Sequence, residues 1–337
     1  MKSLIHRLFV SLFSLLFLYM CPLFLLAQDP MQAPEGIPPE SDYMMRQHQA
    51  QIEEIMKVSN LGNRETALES FMQKLNSKSL ILQYYENYFS RTVQAYTQAG
   101  NTAQAQALSQ KMRKFFPNSL TTHGAVMIEA FKSQNYAKAI QSGEKINSAN
   151  PNQQTTEILA LSYMATNSAD SAAKYSLKVL AGTDAKKGAQ YVAFLARYYG
   201  GKRDIVNSAK YYNMLLKAFP GSGPQGLDWN STKIAAYTTL AMKAQYVDKN
   251  YDAAIKEYLS VLKLNSKHDA SHFGIGMSHW KLQQLEEAMD AFAKAVVIGQ
   301  TRAAKAREYL EQIYKPLNNN SVEGLDARLE KARAALQ

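Results

Sequence analysis

The sequence predicts an all-α chain of stacked helical hairpins, on three observations. Among 337 residues there are only 16 glycines and 10 prolines, while Ala, Leu, Lys, Gln and Glu, which cost a helix least, are plentiful. No long run alternates apolar and polar residues with β-branched enrichment, the mark of a half-buried strand. Finally, one local pattern, a small residue between apolar neighbours, returns at a fixed interval along the chain.

Residues 1–27 read as a secretory signal peptide. Lys2 and Arg7 make a basic start, Leu8 to Leu26 is uncharged and mostly Leu and Phe, and Ala27 before Gln28-Asp29-Pro30 offers a cleavage point. The apolar run approaches the length of a membrane span, so an inner-membrane anchor through residues 8–26 is the alternative. Cys21 is the only cysteine. A chain cleaved after Ala27 has no disulfide, thiol nucleophile or cysteine-ligated metal, which suits an oxidising compartment. Residues 28–42, with four prolines, read as a flexible tether.

The repeat starts beyond the tether. In KNYDAAIKEYLSVL the central small residue is Ala254; in LEEAMDAFAKAV it is Ala288, 34 residues later. Ala105, Ala139 and Ala173 are also 34 apart in sequence, as are Pro117 and Pro151, which close two units. Ser208 takes the same place in the fifth unit. From Ser208 to Ala254 the step is 46, an excess that matches a 12-residue insertion, GSGPQGLDWNST (221–232), expected to be a surface loop carrying Trp229. Ala67, centre of a divergent first unit, lies 38 before Ala105. A small residue at the crossing of two helices lets their backbones approach closely, with bulk such as Tyr251, Tyr258, Leu285 and Phe292 filling the spaces beside it.

A period of 34 is that of the tetratricopeptide repeat. The fifth unit carries Val192, Leu195, Ala196 and Tyr199, then Ser208, Tyr212 and Pro220; the seventh carries Gly276, Ala288 and Phe292. Over residues 43–300 the chain therefore resembles tetratricopeptide-repeat proteins, in about seven units. The resemblance implies a right-handed superhelical solenoid whose neighbouring hairpins bury each other's faces. Residues 301–337 lose the period but form two amphipathic segments, expected to be a C-terminal helical cap.

Motifs for chemistry are sparse. His268, His272 and His279 share helical spacing, and His268 and His272 make a candidate metal-binding pair, yet no carboxylate stands between those two and His272 and His279 fall where packing aromatics belong. Gly274-x-Gly276 and Gly200-Gly201-Lys202 lack the remaining glycines of a nucleotide loop. No catalytic residue, cofactor or small-molecule substrate is implied. The charge of +10 biases the surface toward acidic partners or anionic membranes, although solubility alone accounts for such a surplus. Nucleic acid is not indicated, because export removes the chain from it and no basic block interleaves with aromatics.

What the resemblance implies instead is a concave groove lined by the first helix of each hairpin, which receives a partner segment. Carried over position by position, its lining here is Gln94, Phe131, Arg197, Lys243, Tyr246 and Trp280, with the sixth unit displaced by one residue near Tyr246. The expectation is a non-enzymatic interaction scaffold in the periplasm or envelope of a bacterium. A structural subunit of an envelope secretion or assembly complex is the alternative. Membrane contact is expected only if the N-terminal segment stays uncleaved.

Overall fold

A computed structural model describes residues 39–74 and 82–337, so the signal segment and most of the tether lie outside the described residues. The described chain forms two compact units, one ending at Ser168 and the other running from Ala169 to the C-terminus. The first holds α1 (Pro39–Lys57), α2 (Leu61–Lys74), α3 (Leu82–Gln98), α4 (Thr102–Phe115), α5 (Leu120–Lys132), α6 (Tyr136–Ala149) and α7 (Gln153–Ala165). In the second are α8 (Ala169–Ala181), α9 (Ala189–Gly201), α10 (Ile205–Ala218), α11 (Trp229–Met242), α12 (Tyr251–Leu264), α13 (Asp269–Lys281), α14 (Leu285–Ile298), α15 (Ala303–Leu317) and α16 (Leu325–Ala334). Among the described residues every regular element is helical, and none of the helices is long and apolar enough to cross a membrane. Each unit is an all-α stack of helical hairpins.

Six successive hairpin turns share one device. Each holds a single residue in the left-handed region: Gly100, Gln134, Asn167, Arg203, Lys249 and Gln283, with φ between 55° and 77°. In five of them the next residue's N–H reaches back to the carbonyl five positions earlier, as in Asn101 to Tyr96 (2.9 Å) and Asp204 to Tyr199 (2.9 Å). That bond closes the first helix and, where both helices belong to one unit, directs the second as it leaves. Asn135, Asp204 and Asn250 then accept from backbone N–H groups of their own second helices at 3.0–3.2 Å, satisfying a donor the helix start leaves free.

Five residues past the left-handed one, the chain meets the crossing. Ala105, Ala139, Ser208, Ala254 and Ala288 occupy this position and all are buried. After Asn167 the same count reaches Ala172, also buried, one residue before the Ala173 of the 34-residue interval. The left-handed residues are 33 apart between Gln134 and Asn167 and 36 apart between Asn167 and Arg203, so a residue lost before this turn is more than regained after it. Ala173 is buried too, but in the cluster around Val192, Leu195 and Ala196 on α9. Where serine replaces alanine, Ser208 Oγ donates to the Ala196 carbonyl at 2.8 Å, so its hydroxyl is not stranded.

The turn between α1 and α2 lacks the device: none of its residues is left-handed, and Leu68 rather than Ala67 is the fully buried side chain. A polar cluster ties this pair to the next instead. Tyr96 Oη donates to Glu65 Oε2 at 2.8 Å, and Lys111 Nζ donates to Glu65 Oε1 at 2.8 Å and to Glu69 Oε1 at 2.5 Å. Burial pushes the Glu65 carboxyl upward, but the bonds from Lys111 and Tyr96 outweigh it and hold the pKa below the usual value. Burial and Glu65 together push the Tyr96 phenol up to about 12.

Two boundaries differ from expectation. The helix α1 begins at Pro39, inside the segment read as tether. Residues 229–232, read as loop, form the first turn of α11, because Asp228 caps it by accepting from Ser231 N–H at 3.1 Å. Trp229 folds back over the shortened loop: its indole N–H donates to the Gly221 carbonyl at 3.0 Å, and a Cβ on Gly223 would lie 2.3 Å from its side chain. At the C-terminus, α16 packs on α14. Arg328 bonds Glu286 at 2.6 Å and Asp290 at 2.5 Å, while Leu325 and Ala332 are buried in one cluster with Met289 and Ala293.

Two outcomes test this account. Ala254→Leu and Ala288→Leu should each cost about 1–3 kcal/mol by overpacking the crossing, read from urea unfolding; unchanged unfolding of both variants would refute the crossing position. The lowered Glu65 pKa means that its stabilisation is present above the ordinary carboxylate range and is lost as pH falls through the folded value. Glu65→Gln should therefore lower Tm at pH 7 and shrink the acid-induced fall in Tm between about pH 5 and 3 relative to the parent chain.

Candidate functional site

The sixth hairpin departs from the others at one place. Its first helix ends in a π-helical turn, Lys243–Val247, and its closing bond runs from Asn250 N–H to the Ala244 carbonyl at 2.9 Å, one residue longer than in the other five turns. One extra residue has entered the helix. This is the physical origin of the one-residue displacement in the sequence pattern. The small residue of the first helix, Ala196 in the fifth hairpin and Gly276 in the seventh, is therefore Ala241, counted one residue further from the left-handed position.

The insertion carries a buried polar side chain into the packing. Gln245 is almost fully buried; its amide donates to the Gly274 carbonyl and to Ser278 Oγ, both at 3.0 Å, and its carbonyl accepts from Tyr258 Oη at 3.2 Å. Ser278 Oγ in turn donates to the Gly274 carbonyl at 3.0 Å. Gly274 is required here, since a Cβ would sit 2.3 Å from the Tyr258 ring. Burial pushes the Tyr258 phenol far above its ordinary value, keeping it a neutral donor. The network joins the π turn to α12 and α13 and leaves Tyr246 on the outside, 48% exposed.

Around Tyr246 the second unit gathers aromatic rings and one guanidinium. Burial raises the Tyr246 phenol pKa while the charge of Arg302 acts in the opposite sense. Arg302 lies over the Phe273 ring at 5.7 Å. Tyr309 on α15 meets Trp280 at 5.2 Å and Phe273 at 5.9 Å, with Lys305 over its own face at 4.9 Å. Arg302 is fixed through its backbone, whose N–H donates to the buried Asp269 carboxylate at 2.7 Å. An aromatic surface edged by cations can hold an apolar segment bearing carboxylates.

The residues expected to line a groove fall as follows. Counted back from the left-handed residue, Phe131, Tyr246 and Trp280 are each third, and Gln94 and Arg197 are each sixth. Lys243 is also sixth by count, but the extra residue moves it. Its carbonyl accepts from Asp248 N–H as those of Glu129, Tyr198 and Ser278 accept in other turns, so Met242 and not Lys243 stands where Arg197 does. Lys243 is drawn to Asp248, at 2.7 Å. Arg197 is exposed, whereas Trp280 is half-buried against Tyr309. In the first unit, Gln94 is half-buried and Phe131 packs edge-on to Tyr136 across its own hairpin at 5.9 Å.

Arg302 and Tyr309 were not anticipated, because they lie past residue 300, where the sequence period ends. Tyr309 carried a signal nonetheless: it is one of two tyrosines in an amphipathic segment directly after the last repeat.

The histidines are used locally. His268 precedes α13, with Nδ1 2.9 Å from Ser271 Oγ; His272 Nε2 lies 3.0 Å from the Ser266 carbonyl, and His279 Nδ1 2.6 Å from Gln284 Oε1. Burial lowers the pKa of both His268 and His272. Among the described residues no three His, Cys, Asp or Glu side chains come together as ligands.

No protein-family model and no curated protein matches the sequence. Among solved structures the chain is similar to yeast Tom70 (14% identity, TM-score 0.37, 89% of this chain and 64% of that one). It is also similar to PilF of Pseudomonas aeruginosa (12%, TM-score 0.32, 75% and 99%) and to a tetratricopeptide repeat protein from Parabacteroides merdae (15%, TM-score 0.31, 80% and 99%). At these scores the architecture assigned here rests on the chain's own turns and crossings.

Gln245→Leu should destabilise the chain by about 1–3 kcal/mol, since it strands the buried Tyr258 hydroxyl. Urea unfolding measures this, and a neutral substitution would mean that the π turn does not depend on its glutamine.

Proposed function

We propose that the chain is a non-enzymatic protein-interaction scaffold of the bacterial cell envelope, which holds a partner segment on the face made by its first helices. The observation that carries this reading is the exposed Tyr246 together with the partly exposed cluster of Trp280, Tyr309 and Phe273 and its cations Arg302 and Lys305, all in the second unit. Arg197, exposed on α9, adds a cation to the same set of first helices. Export to the periplasm, with cleavage after Ala27, is part of the proposal and rests on the basic start and apolar run of residues 1–27. The alternative is an inner-membrane anchor through residues 8–26.

Crosslinking of the tagged full-length chain in native envelopes, with mass spectrometry of its partners and of its own N-terminus, tests both parts. A few stoichiometric envelope proteins and an N-terminus at Gln28 are expected. The pair Arg197→Glu and Tyr246→Ala, both at exposed positions, should remove at least nine-tenths of the captured partner while thermal unfolding stays unchanged. Full retention by that pair would exclude the first-helix face, and retention of residues 1–27 would exclude the cleaved form.

A further inference from the structure

Three successive turns of the array introduce the same cation. Counted from the left-handed residue, the seventh position is Lys174 on α8, Lys210 on α10 and Lys256 on α12. Position fourteen is Lys217 on α10 and Lys263 on α12, and Lys178 lies one helical turn beyond Lys174. Residues seven apart differ by only about 20° around a helix, so these lysines form one stripe on each second helix. All six are exposed, and among the described residues none of them is held in an ion pair. Lys174 and Lys178 lie over the buried Tyr175 ring at 5.4 and 5.2 Å, and Lys210 over Tyr211 at 5.4 Å.

Position ten exposes a leucine on two of the three helices, Leu177 (39%) and Leu259 (46%), and is the half-buried Asn213 on α10. Asp170, bound by Lys202, stands at the start of the stripe on α8 and Asp252 at its start on α12, with Glu257 half-buried beside Lys256. The charge is confined to this part of the second unit. Residues 169–267 hold 15 Lys and Arg against 7 Asp and Glu, whereas residues 268–337 hold nine of each, so the unit's whole surplus lies on the hairpins that carry the stripe.

The next hairpin shows what such a stripe can receive. On α14 the third and seventh positions are Glu286 and Asp290, and Arg328 of α16 bonds both; position ten, Ala293, is fully buried in the cluster that also holds Leu325 and Ala332. There an acidic stripe is covered by a basic amphipathic helix. From this pairing we infer that the lysine stripe of α8, α10 and α12 is a docking surface for an acidic amphipathic helix of a partner protein, with the signs of charge reversed. Its carboxylates would meet Lys174, Lys210 and Lys256, and its apolar side would cover Leu177 and Leu259. The chain's own α16 is basic and already seated, so it does not fit this surface. The surface lies on second helices and is independent of the first-helix face proposed above.

The probe is a fluorescein-labelled 18-residue helical peptide with leucines at positions i, i+3, i+4 and i+7 flanked by glutamates, and binding is read by anisotropy against the full-length chain in non-ionic detergent. Lys174→Glu, Lys210→Glu and Lys256→Glu together should weaken binding at least tenfold, with unfolding unchanged because all three side chains are exposed. A charge-matched control, Lys186→Glu, Lys187→Glu and Lys267→Glu in the interhelix loops, should change it less than threefold, and Arg197→Glu with Tyr246→Ala should leave it intact. Equal binding of a scrambled peptide of the same composition, equal loss in the control variant, or no binding of the helical peptide would each overturn the inference. Vesicles containing about 30% phosphatidylglycerol separate the remaining source of anionic groups. If the stripe variant loses vesicle capture while peptide binding is unaffected, the surface serves a membrane and the inference fails.

Discussion

Everything in this chain depends on two helices approaching closely at one small side chain. The approach succeeds because the turn before it has a single geometry: one left-handed residue, one bond back into the first helix, and a second helix leaving at a fixed angle. Five of the six left-handed residues are not glycine, although an L side chain in this region costs on the order of 1–2 kcal/mol. The turn is thus imposed by the packing beyond it and not chosen by the turn residue. That ordering, with the crossing dominant and local preference subordinate, is what makes a hairpin unable to stand alone and an array able to stand.

The same ordering explains what was legible in the sequence. Alanines at a helix crossing leave a periodic trace, because bulk there is excluded on every hairpin, and the fold class followed from that trace. The interval reaches Ala173 and the count from the left-handed Asn167 reaches Ala172; both are small and both are buried, so periodicity alone does not separate them. The π turn registered as a slip of one residue but not as a structure. A helix with an added residue has no distinctive composition, and its signature, Gln245 bonded to Gly274 and Ser278, joins residues about thirty apart in sequence. Tyr309 and Arg302 were illegible for a different reason: the period that identified equivalent positions ends before they begin.

Position along the hairpin also separates two chemistries. Residues shortly before the left-handed one stand near the end of first helices, where Tyr246 is exposed and Trp280 adjoins Tyr309 and the cations beside it. Residues seven beyond it stand on second helices, where lysine recurs on three hairpins and Asp290 takes over on the fourth. One turn therefore indexes both faces, and a substitution that shifted its register would disturb the two together.

The extra ten-odd residues before α11 and the single extra residue inside its end show how differently the chain treats added length. Between hairpins, a whole segment is folded under Trp229 without disturbing the crossing that follows. Within a hairpin, one residue forces a change of helix type and a buried glutamine to match it. Lineages of such a chain would be expected to drift in length at the joints and to hold length constant inside the modules. A rare insertion that did persist inside a module would leave a lasting bend in the reading frame of the repeat, and with it a new outward side chain for selection to act on.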